Sequence, residues 1–133
     1  MREILFRGKR VDNGAWVEGF LVKRPSSVHV GYYSPWCISV PPKDPDDNGG
    51  EYFVLPETVG EFTGLTDKNG KKIFEGDIVV SYDIAGHRDG CGVVNWNNLF
   101  NAWHIDERSM YGGSIATYEV IGNIRDNADL LEV

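Results

Sequence analysis

An all-β fold is predicted by two features of the chain. Short runs of β-branched and aromatic residues recur along its 133 positions, and turn formers punctuate them, with 16 Gly and 6 Pro among the total. The stretch PETVGEFTGLTDKNGKKIFEGDIVVSY, residues 56–82, shows the pattern best. Asp67-Lys68-Asn69-Gly70 has the composition of a type I turn, Asp first to bond its own backbone and Gly last to take the left-handed conformation. A two-residue turn centred on Asn69-Gly70 competes with it and would pair Asp67 with Lys72. Glu75-Gly76-Asp77 then bends the chain before Ile78-Val79-Val80, a β-branched run suited to a barrel core.

Before this stretch, residues 3–11 and 15–22 are strands joined at Asp12-Asn13-Gly14, a strong hairpin signal. Ile4 and Phe6 share one face, Trp16 and Glu18 one on the partner strand. VHVGYY and WCISV give two further short strands within residues 28–40. Residues 41–50 follow, with Pro41, Pro42 and Pro45 among Asp, Asn and Gly, as the clearest exposed loop. Residues 52–55 resume strand character. After Tyr82, DIAGHRDG (residues 83–90) is a turn-rich connection. Residues 92–96 and 100–105 form a hairpin about Asn97-Asn98, with Val94 and Trp96 on one face. Residues 106–113 form a loop, and 115–124 the last long strand, which closes the sheet with Ala116, Tyr118 and Val120 on one side. Residues 127–132 suit a single helical turn capped by Asp126 or Asn127.

The central stretch PETVGEFTGLTDKNGKKIFEGDIV, the opening MREILFRGKRVDNGAWVEG and the closing YEVIGNIRDNADLL together resemble the YopX-like proteins encoded by bacteriophages and prophages. The likeness covers the first 22 residues and most of 54–131, whereas 23–53 and 83–91 carry none of its signature. It implies an SH3-like barrel or roll with additional N-terminal strands, a phage origin and a bacterial cytoplasmic setting. It implies no activity and no catalytic residues. The expected organisation is a single domain over 1–133. Residues 1–55 supply N-terminal strands, 56–126 the barrel, and 127–133 a short C-terminal turn.

A chain of this length buries a core without disulfides or metal. Its two cysteines, Cys37 and Cys91, lie in apolar runs and make neither a metal site nor a secreted framework, so reduced, buried thiols are expected. No N-terminal run is apolar enough for a signal peptide or membrane span, which points to the cytoplasm and away from membranes. Net charge is −7. Residues 1–24 hold six basic and three acidic side chains, the other 109 seven and seventeen. A globally acidic chain is repelled by polyphosphate, so nucleic-acid binding is disfavoured, although a β-barrel stacking bases on aromatic rings is the runner-up reading.

His104 and Asp106 alternate along a strand and so point the same way, which with Glu107 offers hard metal ligands for a hydrolase, the third reading. Glu75 and Asp77 flank Gly76, where a carboxylate accepting backbone amides at a strand start outweighs acid–base chemistry. No nucleophile elbow or phosphate loop is present. No catalytic, cofactor-binding or metal-ligating set is therefore assigned, and no cofactor is expected. Trp16 and Trp96 go to the core. Tyr32, Tyr33 and Trp36, with the basic Arg7, Lys9 and Arg10, form the candidate protein interface. The expected partners are further copies of the chain and a host or phage protein.

Overall fold

The protein is described from a computed structural model, which covers residues 3–24, 35–111 and 117–131 together with the backbone of 28, 29, 32 and 33. All regular structure among the described residues is β, apart from two short 3-10 turns at Pro56–Thr58 and Ala128–Leu131. No helix among them is long and apolar enough to cross a membrane. The chain forms two compact units, residues 1–61 and 62–133.

In the first unit, β1 (Phe6–Lys9) and β2 (Trp16–Lys23) pair antiparallel with Arg7 opposite Glu18 and Lys9 opposite Trp16. The turn between them is the expected one. Gly14 is left-handed and the Asn13 carboxamide accepts the Ala15 amide at 2.9 Å. The run VHVGYY divides into two short paired strands, β3 (Val28–His29) and β4 (Tyr32–Tyr33). β5 (Trp36–Val40) adds to β2, and β6 (Gly50–Phe53) adds to β5. Cys37, Ile38 and Val54 are fully buried here. The 3-10 turn Pro56–Thr58 is tied to β1 through Thr58, whose Oγ1 accepts the Lys9 amide at 2.8 Å and donates to the Leu55 carbonyl at 2.6 Å. β7 (Gly60–Thr66) begins beside β1, with Gly60 opposite Arg7, and continues into the second unit.

There β7 turns into β8 (Lys72–Phe74) with Thr66 opposite Lys72, which settles the turn geometry. The Gly70 amide donates to the Asp67 carbonyl at 3.0 Å, the i to i+3 bond of a type I turn, and Gly70 is left-handed. A five-stranded sheet follows, built from β9 (Asp77–Tyr82), β10 (Arg88–Asn97), β11 (Ala102–Ile105), β12 (Arg108–Ser109) and β13 (Thr117–Asn123). Its order is β12-β11-β10-β9-β13, an open run: among the described residues β12 and β13 are edges that do not meet. The expected closure by the last strand is therefore not made, because among the described residues β13 has β9 on one side and no further strand on the other. Ile73, Val79, Val94, Ile105 and Tyr118 form the core, with Leu65, Trp103, Met110 and Val120 packed on it. Asp77, fully buried, accepts the Phe74 amide at 2.8 Å as a strand-start carboxylate should.

Three expectations need correction. β10 begins at Arg88 rather than 92, because Arg88 and Gly90 pair with Tyr82 and Ser81 across a bulge. Pairing partners thus convert a turn-like RDG into strand. Phe100 lies in the turn after β10, where the Asn97 carboxamide accepts the Leu99 and Phe100 amides and bends the chain earlier than the apolar run suggests. Asn127 is not observed as a side-chain cap for the terminal turn. Its carboxamide instead accepts the Asn123 amide at 3.1 Å. Residues 115 and 116 of the expected last strand lie outside the described residues.

The turn at Asp67 is fastened to β13. Its Oδ1 accepts the Asn69 and Lys71 amides at 2.8 and 2.9 Å, and its Oδ2 accepts the Val120 amide at 3.0 Å. Burial raises the pKa of this carboxyl, but the amides of Val120, Lys71 and Asn69 and the Lys71 charge outweigh it, holding the group below its ordinary value. Asp67→Ala strands three amides and is expected to cost about 3 kcal/mol in denaturant unfolding. A carboxyl with a lowered folded pKa stabilises fully above its unfolded value, about 3.9, and loses that contribution as pH falls through the folded value. The stability gap between wild type and Asp67→Asn should therefore be constant near neutrality and narrow in acid. A gap that persists unchanged in acid contradicts the assignment.

Candidate functional site

Of the six residues assigned to an interface, the four whose side chains are described separate over the two faces of the first unit's sheet. On one face Arg7 and Lys9 flank the Trp16 ring, their charged atoms 4.8 and 5.6 Å from its centroid. Trp16 is only half-buried and is not among the buried core residues, which corrects its core assignment. Arg10 points to the opposite face, stacks 4.2 Å over Tyr52 and pairs with Asp12 at 2.6 Å. Trp36 is on that face too, under Lys23 at 5.5 Å. The side chains of Tyr32 and Tyr33 lie outside the described residues. Cys37 is fully buried beside Glu51, which is gripped in turn by Arg24 at 2.8 and 3.1 Å. Burial pushes the Cys37 thiol up to about 11, and the Glu51 charge adds to the effect.

In the second unit, His104 and Asp106 are not brought together. β11 ends at Ile105, so strand alternation does not extend to Asp106, which is left-handed (φ 53°) and accepts the Val93 amide at 3.0 Å. His104 is buried, stacked on Phe100 at 5.6 Å, with Nε2 3.4 Å from the Ser109 hydroxyl and no hydrogen-bond partner for Nδ1 among the described residues. Among those residues no three His, Cys, Asp or Glu side chains are grouped to hold a metal ion. His87 is exposed on its loop, 3.7 Å from Asp83.

Two features of this unit were not assigned from sequence. The first is the end of the β10–β11 hairpin, where Leu99 is 83 % exposed, Phe100 66 % and Trp96 41 %. Trp96 follows Val94 on the core-facing side of β10 but lies one step beyond the core. It packs edge-on against Trp103, centroids 5.2 Å apart, which corrects its core assignment. The second is a recess of about 350 Å³ lined by Ser81, Asp89, Ile105, Arg108, Ser109, Tyr111 and Tyr118. Buried Ser81, Ile105 and Tyr118 form its floor, and exposed Asp89, Arg108, Ser109 and Tyr111 its rim. Register explains the convergence: Ser81 lies opposite both Gly90 and Tyr118, and Ile105 opposite Arg108. The Arg108 guanidinium lies where a Cβ on residue 90 would be, so a side chain there would push the guanidinium from this position. Short-range signals could not find this site. Gly90 and Gly92 within a strand were the one hint of close approach.

A family model described as YopX protein matches residues 6–132. The match runs through residues 23–53 and 83–91, which the sequence reading left outside the resemblance. No curated protein matches the chain.

The two thiols are expected to differ in reactivity. With a pKa near 11 and no exposure, only about one Cys37 in a thousand is thiolate at pH 8. In alkylation with iodoacetamide of the native protein, half-buried Cys91 should react first and Cys37 only on unfolding. Rapid native-state labelling of Cys37 would contradict its packing.

Proposed function

The chain belongs to the YopX family. From that membership and the form of the β10–β11 hairpin we propose that it is a phage- or prophage-derived accessory protein. It acts by binding rather than catalysis, associating with itself and docking a protein of the host or phage. The supporting observation is the exposed apolar tip formed by Trp96, Leu99 and Phe100. Burying a large apolar side chain stabilises a complex by about 1.5–3 kcal/mol, and aromatic residues are enriched at interface centres. The occupant is a second copy of the chain. Its residues 1–24 carry six basic against three acidic side chains and the remainder seven against seventeen, so opposite charges draw two copies together. Arg7, Lys9, Arg10, Tyr32, Tyr33 and Trp36 are the proposed contacts on the basic side. In this reading residues 56–126 form an SH3-like roll extended by the strands of 1–55, and the protein works in the bacterial cytoplasm.

Light scattering of the full chain tests the proposal. The expected mass is two chains or more at low salt, falling as salt screens the charged contacts, and one chain throughout for the Leu99→Asp/Phe100→Asp double variant. Both positions are exposed, so the variant should keep the wild-type circular dichroism. A wild-type monomer at low salt overturns self-association.

A further inference from the structure

The recess in the second unit has polar capacity that the protein itself leaves unspent. The Ser81 hydroxyl donates to Asp89 at 2.5 Å and fixes that carboxylate at the rim. The Tyr111 amide donates to the Tyr118 hydroxyl at 2.7 Å, which fixes the phenol oxygen and leaves its proton to donate elsewhere. Arg108, held over Gly90, stands 3.9 Å from Asp89 Oδ1, beyond hydrogen-bonding distance. Among the described residues neither the guanidinium nor the phenol proton has another polar partner. Two opposite charges therefore form a long ion pair without a hydrogen bond between them over a concave floor, with a volume at the lower end of small-ligand sites.

The chemistry of these groups selects the ligand. Arg108, Tyr118 and Ser109 offer donors, and Asp89 offers one anionic acceptor. A simple anion satisfies the donors but is repelled by Asp89 and by a chain of net charge −7. A simple cation leaves Arg108 unpaired. A ligand that is anionic at one end, cationic at the other and neutral overall meets both. We propose that the recess binds a small zwitterion, an α-amino carboxylate, with its carboxylate on Arg108 and Tyr118 and its ammonium on Asp89. Burial, with a contribution from Asp89, raises the Tyr118 pKa further above its ordinary value, so the phenol keeps its proton and donates at neutral pH. This site is separate from the hairpin tip, and its occupancy does not depend on self-association.

Titration of the isotopically labelled full chain with L-alanine, glycine, acetate and inorganic phosphate, followed by amide NMR, tests the proposal. Alanine and glycine should shift the amides of residues 89, 90, 108, 109, 111 and 118 saturably, with Kd in the millimolar range or below. Acetate and phosphate should bind about tenfold more weakly or worse. Arg108→Gln should weaken alanine about tenfold or more, and Asp89→Asn should abolish the preference for alanine over acetate. The dispersion of the same spectra reports folding, and if either variant unfolds the wild-type preference alone decides. The proposal is overturned by the absence of saturable shifts with alanine or glycine, by acetate or phosphate binding as tightly, or by an unchanged alanine response in folded Arg108→Gln.

Discussion

The Asp67 carboxylate accepts three backbone amides from two distant places, Asn69 and Lys71 in its own turn and Val120 on β13, 53 residues away. A buried carboxylate is costly unless its lone pairs are filled, and amide donors fill them here with charge-assisted bonds. The arrangement works only in one register. If β13 shifted by a residue, Oδ2 would lose its amide and the apolar and polar faces of the strand would exchange. The Lys68 amide donates to the Tyr118 carbonyl at 2.8 Å, so the turn grips β13 on both sides of Glu119. Asparagine cannot substitute, because its amide nitrogen would meet a donor.

The same grip reaches the recess. Tyr118 is two residues from Val120, and with its carbonyl held by Lys68 its ring enters the core while its hydroxyl emerges beside Tyr111. Opposite it, Ser81 on β9 positions Asp89, and the absence of a side chain at Gly90 leaves room for Arg108. The site is thus assembled from β9, β10, β11, β12 and β13, each contributing one or two groups at a register fixed by the core, with Tyr111 added from beyond β12. Rigid strands carrying a few convergent polar groups suit recognition of a small ligand. The hairpin tip suits a different partner, because its apolar surface is convex and exposed.

What was legible in the sequence was local. Asp12-Asn13-Gly14, Asp67 to Gly70 and the buried Asp77 each bond within a few residues, so residue type and spacing carry the geometry. The family resemblance likewise rests on contiguous stretches and holds over nearly the whole chain. What escaped was set by distant pairing. Register shifts against β9 occur at Arg88/Gly90 and Val120/Gly122; nothing in RDG announces a strand, and although residues 120–122 read as strand, nothing in VIG announces its bulge. His104 and Asp106 looked like a same-face pair until the left-handed backbone at Asp106 ended the alternation. Trp96 alternates correctly with Val94, yet the core stops short of it, and periodicity carries no information about where a core ends.

The most direct test of the Asp67 junction is amide hydrogen exchange measured residue by residue. If one buried carboxylate unites the turn with β13, the amides of Asn69, Lys71 and Val120 should be protected to a similar degree and open together as denaturant is added. Val120 exchanging like a frayed edge residue while the turn amides stay protected would contradict the junction, and with it the placement of Tyr118 on which the recess depends.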